Sequence, residues 1–129
     1  MPITNQGLED MVSGAFTAGL AAPFTNANAH LGVGNGTTAF SKTHTDLQGA
    51  SKARKAMDST YPTISGTPAS TATLRATFAT GDANFAWEEV AAFNAAAAGR
   101  MFSRLVQALG TKTSSAVWQL TYTVTPTLP

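Results

Sequence analysis

The chain has no cysteine, few charged residues and no long apolar run, and each absence excludes something. Without cysteine, disulfides and thiolate metal sites are ruled out. Charged residues make up only 12% of the 129 positions, about half the usual soluble share. Eight basic and seven acidic side chains leave a net charge of +1, which creates no broad field for nucleic acid or a membrane surface. No stretch approaches the roughly 20 apolar residues that span a bilayer as a helix. The N-terminus shows no basic segment followed by an apolar run, so no signal peptide is expected. The glycosylation-type triplet Asn35-Gly36-Thr37 is then expected to be idle.

In place of charge there is alanine and threonine, together about a third of the chain and far above ordinary usage. A surface of Thr, Ser, Ala and Asn can meet a partner with few charges to strip of water, which favours self-association or partner binding. The length predicts one domain over 1–129, large enough for a core without staples. It divides into an N-terminal arm and helix over 1–24, a β-rich body over 25–125 and a short tail over 126–129. The ends, Met1 to Thr4 and Thr125 to Pro129, suit arms laid on a neighbouring subunit or simple frayed termini.

Thr4 or Asn5 can cap a helix running to about Ala22, stopped by Pro23. Leu8, Met11, Val12, Ala15 and Leu20 fall near one face, which is expected to dock on the sheet. Gly7, Gly14 and Gly19 weaken this helix by about 1 kcal/mol each relative to alanine. Ala29 to Val33 reads as a short strand entering a glycine-rich stretch. Its alternating glycines lack the Lys-Ser/Thr pair of a phosphate loop, and Asn35-Gly36 is expected to be a tight turn. Lys52, Arg54 and Lys55 are expected on a solvated loop or helix face, and no aromatic residue is interleaved to stack bases. Pro62 to Ser70 reads as an exposed loop.

From Thr71 the period is that of strands. Leu74, Ala76 and Phe78 alternate with polar neighbours, and Gly81-Asp82 turns the chain. In the next strand Phe85, Trp87, Glu89, Ala91 and Phe93 are expected to share a face. Ala95 to Gly99 reads as a short irregular loop, Met101 to Leu109 as a strand, and Gly110-Thr111 as the turn into the last one. Residues 118–125 alternate most clearly: Trp118, Leu120, Tyr122 and Val124 are predicted inward, Gln119, Thr121 and Thr123 outward. Several short strands separated by turns predict a mainly β fold, a β-sandwich or jelly-roll-like domain with an N-terminal α-helix.

The residues that could carry chemistry do not form a recognisable site. His30 and His44 have no metal-ligand spacing with each other or with a carboxylate. His30 reads as a strand residue. His44, Asp46 and a serine could be assembled into a triad only by geometry that the sequence does not supply. Glu88 and Glu89 are adjacent, so a strand points them to opposite faces and they cannot act as a glycosidase pair. Glu89 is expected to pair with Arg75 or Arg104 in a buried or interfacial ion pair. Trp87 and Trp118 are expected in the core. No catalytic, cofactor-binding or metal-binding residue is therefore assigned, and no enzyme is expected.

Five segments occur in a suggestive order. LGVGNGTTAF from Leu31 to Phe40 precedes Thr45-Asp46-Leu47-Gln48. ATFATGDANFAWEEVAAFN from Ala76 to Asn94 is followed by Met101-Phe102-Ser103-Arg104 and by AVWQLTYTVT from Ala116 to Thr125. This order resembles small virion structural proteins of tailed bacteriophages over most of the single domain. Where many of those relatives have glycine before Phe-Asn, this chain has Ala91-Ala92, and its Ala95 to Gly99 loop is alanine-rich; both bear on local turn geometry. The resemblance implies a capsid decoration (cement) protein, a homotrimer on the outer surface of the phage head. Its partners would be the major capsid protein and copies of itself, with no membrane or direct nucleic-acid contact. It implies no catalytic residues. The alternatives are a tail, baseplate or collar structural protein and, from another class, a carbohydrate-binding module.

Overall fold

The computed structural model of the chain describes residues 2–19 and 22–126. Among them are one helix, α1 (Asn5–Phe16), and seven strands: β1 (His30–Gly34), β2 (Lys52–Ala56), β3 (Thr63–Ser65), β4 (Thr71–Phe78), β5 (Ala86–Phe93), β6 (Met101–Thr111) and β7 (Trp118–Val124). The strands form two antiparallel sheets, one ordered β2-β1-β5-β6 and the other β3-β4-β7. The fold is mainly β with an N-terminal helix, as the alternation predicts.

The core lies between the sheets. Leu31 and Val33 from β1 and Trp87, Val90 and Ala92 from β5 meet Leu74, Ala76 and Phe78 from β4 and Tyr122 and Val124 from β7. Trp87 stands edge-on to Phe78 at 4.8 Å and to Trp118 at 5.0 Å between ring centroids. The β7 register follows the sequence: Gln119, Thr121 and Thr123 are exposed, Tyr122 and Val124 buried, Trp118 and Leu120 half-buried against the core. The Gly81-Asp82 turn is also present, closed by the Asp82 amide on the Ala79 carbonyl.

Several expectations give way to tertiary contacts. The helix stops at Phe16, well before Ala22 and Pro23, because Thr17 is extended and turns its hydroxyl back on the Ser13 carbonyl at 2.8 Å. Leu20 and Ala21 lie outside the described residues. The helix does not dock by its apolar stripe. It docks through Gly7, where a Cβ would strike the Phe102 carbonyl, and through Asp10, while Leu8 and Val12 face out. Pro2 to Thr4 is not frayed. It lies along β6 of its own chain, with Ile3 bridged to Ser103, the Thr4 amide on the Phe102 carbonyl and the Arg104 amide on the Pro2 carbonyl. Met1 and residues 127–129 lie outside the described part; Thr125 bonds Thr71.

Asn35-Gly36 is not a tight turn. It continues β1 outward, and the chain returns only at β2, with the Asn35 amide on the Ser51 carbonyl. Lys52, Arg54 and Lys55 accordingly sit on a strand, not on a loop or helix. In β5 the register shifts between Trp87 and Glu89, so these two do not share a face. Trp87 joins the core between the sheets, while Ala91 and Phe93 pack on the other side with Leu47 and Met101. Gly110 and Thr111 belong to β6, and the turn into β7 comes later, where the Ala116 amide meets the Thr113 carbonyl.

Candidate functional site

The most concentrated polar chemistry lies on the outer face of the four-stranded sheet, beneath the connection from β1 to β2. Glu89 and Arg104 are both fully buried there, with Arg104 Nε 3.0 Å from Glu89 Oε1. The Gln48 amide donates to Glu89 Oε1 and the Gly49 amide to Oε2, each at 2.8 Å. Arg104 Nη2 donates to the Thr38 carbonyl at 2.9 Å, and Nη1 lies 3.4 Å from His44 Nδ1. His44 Nδ1 also accepts from the Ser41 amide at 3.2 Å. Two N–H groups point at Nδ1, so it is the acceptor nitrogen of that ring.

The local reason for this arrangement is the run of alternating glycines. Gly32, Gly34 and Gly36 leave one side of the chain bare. A Cβ at Gly32 would come within 2.7 Å of the Phe93 ring, one at Gly34 would press on the Glu89 carboxylate, and one at Gly36 would collide with Glu89 Oε2. The glycines are the space into which Phe93 and Glu89 fit. The glycines supply room and not donors: the amides that hold the carboxylate are those of Gln48 and Gly49.

This hub is held at its rim by the basic strand. Asp46 receives Lys52 Nζ at 2.7 Å and Arg54 Nη2 at 3.3 Å. Burial opposes ionisation of Asp46, yet the bonds from Lys52, the Leu47 amide and Arg54 outweigh it and hold the carboxyl below its ordinary value. Arg54 lies 3.4 Å over the Phe93 ring and donates to the Ala95 and Ala98 carbonyls. Burial lowers its guanidinium from the usual value, against the pull of Asp46. Lys55 pairs with Asp82 at 2.7 Å. The three basic residues are therefore engaged within the fold and form no free cationic patch.

The expected partners of Glu89 are separated by the fold. Arg104 takes the ion pair, whereas Arg75 belongs to the other sheet, bonded to Asp58 at 2.9 Å and stacked on Tyr61. His30 is a strand residue whose Nδ1 meets the Asn28 carbonyl at 2.8 Å. His44 and Asp46 both border the hub but bond different groups, Arg104 and the basic strand, and among the described residues no serine hydroxyl is bonded to His44. Glu88 is half-exposed in β5 beside the buried Glu89. Trp87 is buried in the core, and Trp118 is half-buried, edge-on to Trp87 at 5.0 Å.

No match is found among protein families, curated proteins or solved structures. Function must therefore be read from the molecule's own surface.

The second notable feature there was not legible beforehand. Helix α1 is anchored from below by polar contacts. Thr4 Oγ1 accepts from the Gly7 amide at 3.1 Å and donates to the Met101 carbonyl at 2.5 Å. Arg100 reaches Asp10 at 2.6 Å and Glu9 at 2.8 Å, and the Glu9 carboxylate, with Asp10, pushes the guanidinium above its ordinary value. Leu8, Val12 and Phe16, one turn apart, are left 55%, 51% and 84% exposed. The only sequence signal for this was Gly7 opposite a possible Asp10–Arg100 pair, and a sequence does not say which face of a helix a distant arginine will reach.

Proposed function

We propose that the chain is a phage capsid decoration protein that binds and stabilises an assembled head lattice and performs no catalysis. The observation that carries this reading is the exposed row Leu8, Val12 and Phe16 on a helix whose other face is pinned by buried polar contacts. An apolar row held rigidly in the open is a feature of interaction surfaces. The charge-poor exterior supports the same reading, since few ions need desolvation when such a surface meets a lattice. The polar hub supports it as well. Glu89 and Arg104 are spent on each other and on backbone groups, so they act as a structural rivet. The resemblance of the segment order to tailed-phage virion proteins is the reason a head lattice is proposed as the partner.

A decoration protein joins a shell already built by the major capsid protein. Shells assembled without this chain are expected to form and to lose resistance to heat. Adding purified protein should restore that resistance and saturate at a fixed ratio to capsid subunits, because a ligand that binds only the assembled state stabilises it by mass action. A triple variant, Leu8→Ser with Val12→Ser and Phe16→Ser, should keep the wild-type circular dichroism and lose shell binding. Antibody labelling confined to tails would replace the head assignment with a tail, baseplate or collar role. Binding that never saturates would refute specific decoration.

A further inference from the structure

A sheet edge exposes unpaired amides and carbonyls, and proteins shield such edges with charge, proline, short strands, bulges or a covering segment. Among the described residues, three of the four edges here are shielded. β2 carries Lys52, Arg54 and Lys55. β3 has only three residues and lies between Pro62 and Pro68. β6 is covered at its start by Pro2 to Thr4 and distorted towards its end by the register shift opposite Trp87–Glu89 and by Gly110 at φ +101°. β7 has none of these devices. It is seven residues long, contains no charge and no proline, runs in unbroken register along β4, and has no backbone partner on its other side among the described residues.

The hydrogen-bonding phase of that edge follows from its neighbour. The Asp58 amide donates to the Arg75 carbonyl at 2.8 Å, on the side of β4 away from β7. Arg75 is opposite Thr121, so this is a non-hydrogen-bonded pair, and Thr121 turns its own amide and carbonyl outward. By alternation Gln119 and Thr123 do the same. We propose that β7 pairs antiparallel with β7 of a second copy of this chain, about a two-fold axis at Thr121.

That register satisfies every outward group. Thr121 exchanges two hydrogen bonds with its counterpart, and Gln119 exchanges two with Thr123 in each direction. On the outer face it sets threonine against threonine and glutamine against threonine, pairs that bond across strands without repulsion. On the inner face it sets Leu120 against Tyr122 and Trp118 against Val124. The second copy's Val124 and Thr125 then run past the groove lined by Trp87, Leu109, Val117, Trp118 and Leu120, where Val117 is 57% and Leu109 37% exposed. The occupant is a second copy because the edge is self-complementary. It is a two-fold pair because no other described edge is open to receive β7, so head-to-tail growth has no acceptor. The inference does not rest on the capsid reading, and it sets a two-fold pair against the homotrimer that the resemblance implies.

The test is the mass of the purified chain in solution, by sedimentation or native mass spectrometry, with three variants. Wild type is expected to be a dimer at micromolar concentration. Thr121→Pro removes an amide that the monomer does not use, and should give a monomer with unchanged circular dichroism. Thr121→Lys and Thr121→Glu place like charges against each other at the axis, and each alone should be monomeric. Mixed in equal amounts, they should recover a heterodimer. A wild-type monomer or a trimer would overturn the proposal, as would a Thr121→Lys chain that remains dimeric. Failure of the lysine and glutamate variants to recover pairing when mixed would also overturn it, since only contact of position 121 with itself predicts rescue.

Discussion

At Gly36 any side chain would strike the Glu89 carboxylate and the Gly49 amide, whereas at Gly14 a Cβ meets nothing within 4 Å. The two glycines look alike in sequence and should respond in opposite directions. Gly36→Ala is expected to lower stability by about 1–3 kcal/mol or more, because the collision is with a buried ion pair and backbone that have little freedom to move. Gly14→Ala lies in an exposed helix turn and should raise stability by about 0.5–1 kcal/mol. Urea midpoints of the two variants at constant slope measure both signs. The glycine alternation was plain in the sequence, and the missing Lys-Ser/Thr pair argued against a phosphate loop. That the bare side of the chain receives Glu89 was not visible, because Glu89 is brought there by a strand pairing far along the chain.

At the scale of elements, β7 and α1 make opposite lessons. In β7 the period of two survives unchanged, since its one neighbour, β4, runs beside it in unbroken register and one face has a core to meet. Leu120 is half-buried, so Leu120→Ala should cost about 1–2 kcal/mol, less than the roughly 2–5 kcal/mol of a fully buried leucine, and Thr123→Ala should stay within about 0.5 kcal/mol. Equal losses at the two sites, read from denaturant unfolding, would show the strand turned over. In α1 the apolar stripe was legible and its destination was not. The Asp10–Arg100 pair and the close approach of Gly7 to β6 turn the helix so that Leu8 and Val12 point away. β5 fails for a different reason. Its pairing with β6 is irregular between Trp87 and Glu89, and there the two side chains part, Trp87 to the core and Glu89 to Arg104.

For the whole molecule, the two sheets are joined through their core by a polar contact as well as by apolar packing. Tyr122 Oη from β7 and Ser103 Oγ from β6 lie 3.0 Å apart in the buried interior. Burial pushes the Tyr122 phenol up to about 12, with the Ser103 bond pulling weakly the other way. The folded chain therefore keeps a proton that the unfolded chain gives up near the ordinary tyrosine value. Stability from this group is complete below about pH 10 and is lost as pH rises from there towards 12. Thermal unfolding measured across that range should show a falling midpoint, and Tyr122→Phe should flatten the slope. A decline equally steep in Tyr122→Phe would place the alkaline sensitivity elsewhere.

By itself the sequence determined the class of fold, the inward residues of β4 and β7, the pairing of a buried glutamate with an arginine and the absence of disulfides. These depend on local period and composition, which are properties of neighbouring residues. Tertiary structure alone decided that Arg104 and not Arg75 meets Glu89, that Trp87 and Glu89 part company, that the basic strand is consumed by Asp46 and Asp82, and that the helix shows its apolar row to the outside. Most of these are choices between groups that different strands and loops bring together. Such choices are made by which strands lie side by side and by where a glycine lets one segment come close to another, and a local pattern of residues does not carry that information.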